Sequence, residues 1–155
     1  MTRILVSLLA VITFAPAQTI QYQSINLETA LGLVQAAIKT CSDEGFSVAA
    51  TVVDRSGEIV AVGRADDAGV GTVDGSRAKA YTSLALGQPT SVMAQVLVEQ
   101  PGFSRIADIP GFLILPGGVP IIFNNAVVGG LGVGGATSDV DERCASMAIK
   151  ELFEP

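Results

Sequence analysis

Apolar residues recur at spacings of three and four from Leu27 through Leu31, Val34 and Ile38 to Cys41, the mark of one buried helical face. Asn26 suits the N-cap of that helix, and Glu28 sits near the positive end of its dipole. The helix is expected to run to about Glu44 and to stop at Gly45. Continuous apolar runs follow: Phe46–Asp54 reads as a strand, Arg55-Ser56-Gly57 as a turn, and Glu58–Arg64 as the antiparallel partner. Both runs are apolar over most of their length, so both faces of the sheet should be covered, by helices or by a partner subunit. After a polar, glycine-containing loop over Ala65–Thr72, a second helix is expected over Val73–Leu86, ending at Gly87. Pro89 opens a third over Thr90–Gln100, which Pro101-Gly102 closes. Phe103–Pro116 holds two prolines and reads as an irregular connection with room for one short strand. A Gly-Gly turn, a strand Val119–Phe123, an Asn124-Asn125 hairpin and a strand Ala126–Val133 come next. A glycine-rich corner then leads to a last helix with acids in its first turn and an apolar stripe of Val140, Cys144, Met147 and Ala148. The order α-β-β-α-α-β-β-α predicts a single α+β domain, an antiparallel β-sheet with packed helices.

At 155 residues the chain has room for one domain with a real core. Its start reads as an export signal: Arg3 supplies the positive end, Ile4–Phe14 the apolar run, and Ala15-Pro16-Ala17 an A-x-A cleavage site. That run is too short to cross a bilayer about 30 Å thick as a helix. A buried N-terminal strand or an uncleaved anchor are the alternatives. Residues 1–17 are thus expected to be removed and residues 18–155 to form the domain, exported to the periplasm or secreted and free of the membrane after cleavage. Loss of Arg3 leaves eight basic against fifteen acidic residues and moves the net charge from −6 to −7. So acidic a chain, without a basic run, is not expected to bind nucleic acid.

Cys41 and Cys144 each lie on an apolar helical stripe. If the two helices lie side by side, a bridge would close a loop of roughly 100 residues, in keeping with an oxidising compartment. Two unpaired buried thiols are the alternative. Two thiols alone do not fill a zinc site.

The sequence contains no histidine, which rules out a Ser-His-Asp or Cys-His device and any histidine metal ligand. Gly130-Leu131-Gly132-Val133-Gly134-Gly135 matches G-x-G-x-x-G, but Asp139, Asp141 and Glu142 crowd the helix that follows and would repel a pyrophosphate. Close packing and special dihedrals explain those glycines better. Ser76-Arg77-Ala78-Lys79 matches S-x-x-K without the companion motifs of the penicillin-recognising enzymes. Arg64, Arg77 and Lys79 carry more weight as a set, because they flank one polar loop in a chain poor in positive charge. Together they would suit an anionic small molecule, a carboxylate above all. The competing reading pairs them internally with Asp66, Asp67 and Asp74. Tyr81 and Thr82 follow on the same helix and offer oxygen atoms to a metal; Met93 and Met147 are poorer-placed thioethers.

The stretch Leu115 to Ala145, with its Gly-Gly-x-Pro, hairpin, glycine-rich corner and Asp-Glu order, resembles the GlcG/HbpS haem-binding family. That family also includes the C-terminal domain of PduO-type cobalamin adenosyltransferases. Val52-Val53-Asp54 with Gly57, Arg64 with Asp66, Lys79-Ala80 with Thr82, and Pro89-Thr90 extend the resemblance over roughly Leu27 to Leu152. It implies an α+β homo-oligomer that binds haem or a related tetrapyrrole, and so sequesters, senses or slowly degrades it. In PduO-type relatives a histidine ligates the iron, and this chain has none; HbpS-type relatives imply an oxygen ligand such as threonine. The expected site is therefore Arg64, Arg77 and Lys79 against the propionates, with Tyr81 or Thr82 nearest the iron. Two other readings stand beside it. One is an enzyme acting on a small anionic metabolite through Lys79, Tyr81 or Asp54. The other is a ligand-free oligomeric accessory module.

Overall fold

The computed structural model describes residues 19–153, so the export signal read over residues 1–17 lies outside the described residues. Helix α1 spans Leu27–Asp43 and is capped as its sequence predicts: the Asn26 side-chain oxygen accepts from the Thr29 N–H at 2.9 Å. Strands β1 (Ala49–Asp54) and β2 (Ile59–Arg64) form the first hairpin. Helices α2 (Thr72–Leu86) and α3 (Thr90–Glu99) follow. Strands β3 (Gly118–Phe123) and β4 (Ala126–Gly134) form the second hairpin, and α4 (Ser138–Phe153) closes the fold. Asn124 and Asn125 take φ of 50° and 60°, the left-handed pair that a two-residue turn of this twist requires. The strands form one antiparallel sheet in the order β2-β1-β4-β3.

Two layers of helix enclose that sheet. On one face α1 and α4 pack over Ala50, Val52, Leu131, Val133 and Ile121. The buried stripe of α1 is Ala30, Leu33, Val34, Ala37 and Cys41, while Leu27 and Leu31 are exposed. Val34 and Cys41 keep their places in the stripe predicted from the large residues, with Ile38 packed at its side, and the rest of the buried face is Ala30, Leu33 and Ala37. Small alanines face the sheet because α1 lies close to it, with Val34 and Ile38 filling the space that Gly63 leaves open. The same holds for α4, where Ala145 and Ala148 are buried and Met147 is half exposed. Cys41 and Cys144 face each other where α1 meets α4 and form a disulfide, with Cα atoms 5.7 Å apart.

On the other face α2 lies against β1, β4 and β3. A Cβ at Gly132 would overlap the Ser76 carbonyl, one at Gly130 the Ala80 carbonyl, and one at Gly118 the Lys79 carbonyl. The glycine run of β4 is thus a seat for a helix backbone. Nothing in it forms a phosphate loop. β1 and most of β4 are buried on both faces, whereas β2, at the edge, exposes Ile59 and Val62. The connection after α3 contains no strand. Residues Pro101–Asp108 form a 3-10 helix, and the segment then runs irregularly to Pro116. Pro101 starts that helix, and Pro110 and Pro116 lack the N–H groups that a ladder needs. Among the described residues no helix is long and apolar enough to cross a membrane.

Two substitutions separate a glycine that seats a helix from one that does not. Gly132→Ala is expected to cost about 3 kcal/mol. Gly75→Ala, within α2 and with nothing within 4 Å of its added methyl, should stabilise by about 0.5–1 kcal/mol. Urea unfolding of both variants measures the contrast. Alkylation of unfolded, unreduced protein should find no free thiol, and replacing both cysteines by alanine should cost about 2–5 kcal/mol.

Candidate functional site

Helix α2 carries most of the residues expected to form a site, and its two faces divide them. The inner face holds Ser76, Lys79, Thr82 and Ser83, all buried. Ser76 shares a 2.7 Å hydrogen bond with the Thr51 hydroxyl and donates to the Val73 carbonyl. Lys79 turns away from it. Its Nζ donates to Asp141 Oδ2 at 2.8 Å and to the Val133 carbonyl at 3.1 Å, and the two charged side chains are only 6% and 2% exposed. The second Asp141 oxygen accepts from the Ala136 N–H, so the buried pair is well satisfied. The Thr82 hydroxyl donates to the Ala78 carbonyl and accepts from the Leu113 N–H, both at 2.8 Å. Lys79 and Thr82 thus hold the connection and the last helix to the sheet.

Arg64 ends β2 and folds back over the loop that follows. It donates through Nε and Nη2 to the Ala68 carbonyl at 3.1 and 2.7 Å, and it lines a cleft of 270 Å³ with residues 69–74. It forms no ion pair with Asp66; its contact there is to the backbone carbonyl. Asp54 Oδ1 accepts from the Ser56 and Glu58 N–H groups and so shapes the β1–β2 turn. Neither Met93 nor Met147 lines the cleft described next.

The outer face of α2 is different. Arg77 is exposed, and Tyr81 stands one turn later on the same side. The Tyr81 ring packs edge-to-face on Phe112, with centroids 5.9 Å apart. Gly57, at φ 85°, lies against its other side: a Cβ there would come within 2.6 Å of the ring. Tyr81 lines a cleft of 310 Å³ with Arg55, Ser56, Leu84, Ala85 and Val127. Arg55 is the cation that the sequence reading missed, since it appeared there only as a turn residue. Its Nη1 donates to the Val127 carbonyl at 3.3 Å, and its guanidinium lies 4.5 Å from the centre of the Tyr22 ring. No spacing links position 55 to position 81; the sheet and helix bring them together. Among the described residues no group of three or more acidic or cysteine side chains is placed to hold a metal ion.

The fold and this cleft define a class: a four-stranded antiparallel sheet between helices, with a phenol and a guanidinium on one outer cleft. Residues 25–150 match the family model described as haem degrading protein HbpS-like, and the chain belongs to that family. A double mutant of Streptomyces reticuli HbpS is 33% identical, with a TM-score of 0.83 over 96% of this chain and all of that one. An uncharacterised 15.0 kDa protein of the dhaT-dhaS intergenic region of Citrobacter freundii is 33% identical over 133 residues, covering 83% of this chain and 92% of that protein. A PduOC–haem complex shares the fold at 22% identity, with a TM-score of 0.76 over 84% of this chain and 96% of that one.

The division of α2 predicts opposite outcomes for two neighbouring cations. Lys79→Met leaves Asp141 buried without its partner and should cost about 3–5 kcal/mol. Arg77→Ala should change stability by no more than about 0.5 kcal/mol. Equilibrium denaturation of the two variants checks both.

Proposed function

We propose that this protein is an exported haem-binding protein, and that it seats the ligand at the Tyr81–Arg55 cleft. The observation that carries the reading is the presence of the Tyr81 phenol and the Arg55 guanidinium on the wall of one cleft. A tyrosine oxygen is an attested ligand to haem iron, and an arginine suits a propionate. Leu84 and Val127 add apolar wall, and Arg77 stands one turn from Tyr81 as a second cation. The donor set therefore fits a haem without histidine. When bound, haem would supply an iron centre; the protein's part is to offer the phenol, neutralise the carboxylates and exclude water from one face. Membership of a family described as haem-degrading supports the ligand. The Cys41–Cys144 disulfide supports an oxidising compartment outside the cytoplasm, in line with the signal read over residues 1–17. Val92, Val98 and Phe103 on α3 and the 3-10 helix support a homo-oligomer, since each is an apolar side chain that the described chain leaves exposed.

Haem titration of the purified protein tests the site. Tyr81→Phe should change the absorption spectrum with a smaller loss of affinity, because the iron loses an oxygen ligand. Arg55→Ala should weaken binding by about tenfold or more, the equivalent of one charge-assisted hydrogen bond. Arg77→Ala should weaken it less. Unchanged affinity and spectrum in all three would place the site elsewhere, and no saturable haem binding by the unmodified protein would end the reading. Sedimentation showing only monomer at micromolar concentration would overturn the oligomer.

A further inference from the structure

A second cleft, of 450 Å³, is lined by no residue of α2. It opens at the end of the sheet, where the segment preceding α1 crosses β4. That segment is tied down at two points: the Ile25 N–H donates to the Val128 carbonyl at 3.0 Å, and the Ser24 hydroxyl accepts from the Arg55 N–H at 3.3 Å. Three aromatic rings from three separate parts of the chain meet around the opening. Tyr22 comes from the leading segment, Phe123 from the β3–β4 hairpin, and Phe153 from the end of α4. Phe123 and Phe153 lie with their rings tilted by 59° at a centroid separation of 6.4 Å, and Phe123 is 47% exposed. Ile25 and Val128 continue the apolar wall.

We propose that this cleft is a second ligand site, for an uncharged planar aromatic molecule bearing one hydrogen-bond-accepting oxygen. Its size falls within the range of small-molecule sites, and its aromatic lining with a few polar groups has their usual composition. Among the described residues no acid, lysine or arginine lines it, so a charged ligand would lose its hydration there without compensation. Rings on several sides favour a flat, aromatic occupant. The polar end is the start of α1. There the Asn26 carbonyl oxygen is already used by Thr29, which leaves the Asn26 amide N–H₂, the Thr29 hydroxyl and the positive end of the helix dipole to meet an acceptor oxygen. The cleft is distinct from the Tyr81 cleft, since the two linings share no residue, and the two meet where the Arg55 guanidinium lies on the Tyr22 ring.

Nile red, a neutral planar dye with a carbonyl oxygen, is the probe. Its fluorescence should rise and shift to the blue on titration with the purified protein, saturating at one dye per chain. Phe123→Ser should weaken binding by about tenfold, the loss of one buried ring face. Tyr22→Ser, at an exposed position outside the core, is a second variant whose folding is not at stake and should weaken it several-fold. Tyr81→Phe and Phe103→Ser should leave it unchanged, and haem-saturated protein should still bind one dye per chain. The proposal is overturned by absence of saturable binding, or by loss of binding in Phe103→Ser equal to that in Phe123→Ser. It is also overturned if haem and dye exclude each other, or if Phe123→Ser dissociates an oligomer and leaves dye affinity unchanged.

Discussion

The close contact between the backbone of α2 and the glycines of β4 is the constraint on which the rest of the molecule depends. With Gly130 and Gly132 beneath it, and Gly118 beside them on β3, the helix lies nearer the sheet than side chains on those strands would permit. At that separation the inner face of α2 has space only for small or fully partnered groups. Ala80 touches the glycines, while Ser76, Lys79 and Thr82 reach past them to fixed partners. Each of these polar groups is satisfied, and none of the buried side-chain nitrogen or oxygen atoms in the described residues lacks a hydrogen bond. A helix seated so closely therefore has one face committed to structure and one turned outward.

The acids at the start of α4 complete that arrangement in an unexpected way. Asp141 and Glu142 do more than stand near their own helix dipole. Asp141 neutralises Lys79, and Glu142 accepts from the Ser91 N–H at 3.1 Å and from the Gly117 N–H at 3.0 Å. Pro89 has no side chain able to cap α3, and Glu142 supplies that cap from another element. Consecutive residues of α4 thereby join α2, α3 and the entry to β3, while the disulfide two residues further on joins α4 to α1. These tethers converge on the protein's glycine-rich corner.

The chemistry on the outside follows from what the inside excludes. Charges that looked available in the sequence are spent on packing: Lys79 on Asp141, Arg64 on the carbonyls of its own loop. Arg55 takes their place at the Tyr81 cleft because the β1–β2 turn rises beside the C-terminal half of α2, and Gly57 lets the turn approach the tyrosine ring. A side chain at position 57 would collide with the ring from the side opposite Phe112 and reshape the cleft. The turn and the helix thus line one cleft, although Arg55 and Tyr81 are 26 positions apart.

Much of this was legible in the order of residues alone. Local signals, among them Asn26, Gly45, Gly87 and Asn124-Asn125, mark the ends of elements because caps and tight turns need particular dihedrals wherever they occur. The antiparallel α+β order follows from such marks, and helical spacing places Cys41 and Cys144 each on an apolar stripe; that the two pair was decided by the packing of α1 against α4. The tertiary structure decided which face of each element is buried. Leu27, Leu31 and Met147 are exposed while smaller alanines are buried, because the distance between helix and sheet, and not hydrophobicity alone, selects the residues that fit. It also decided which polar residues are tied to buried partners and which stay outside. Lys79, Arg77 and Tyr81 lie within five positions of one another, and sequence spacing cannot say which of them finds a buried partner 62 residues away. That depends on long-range contacts, which the sheet brings together only once the chain has folded.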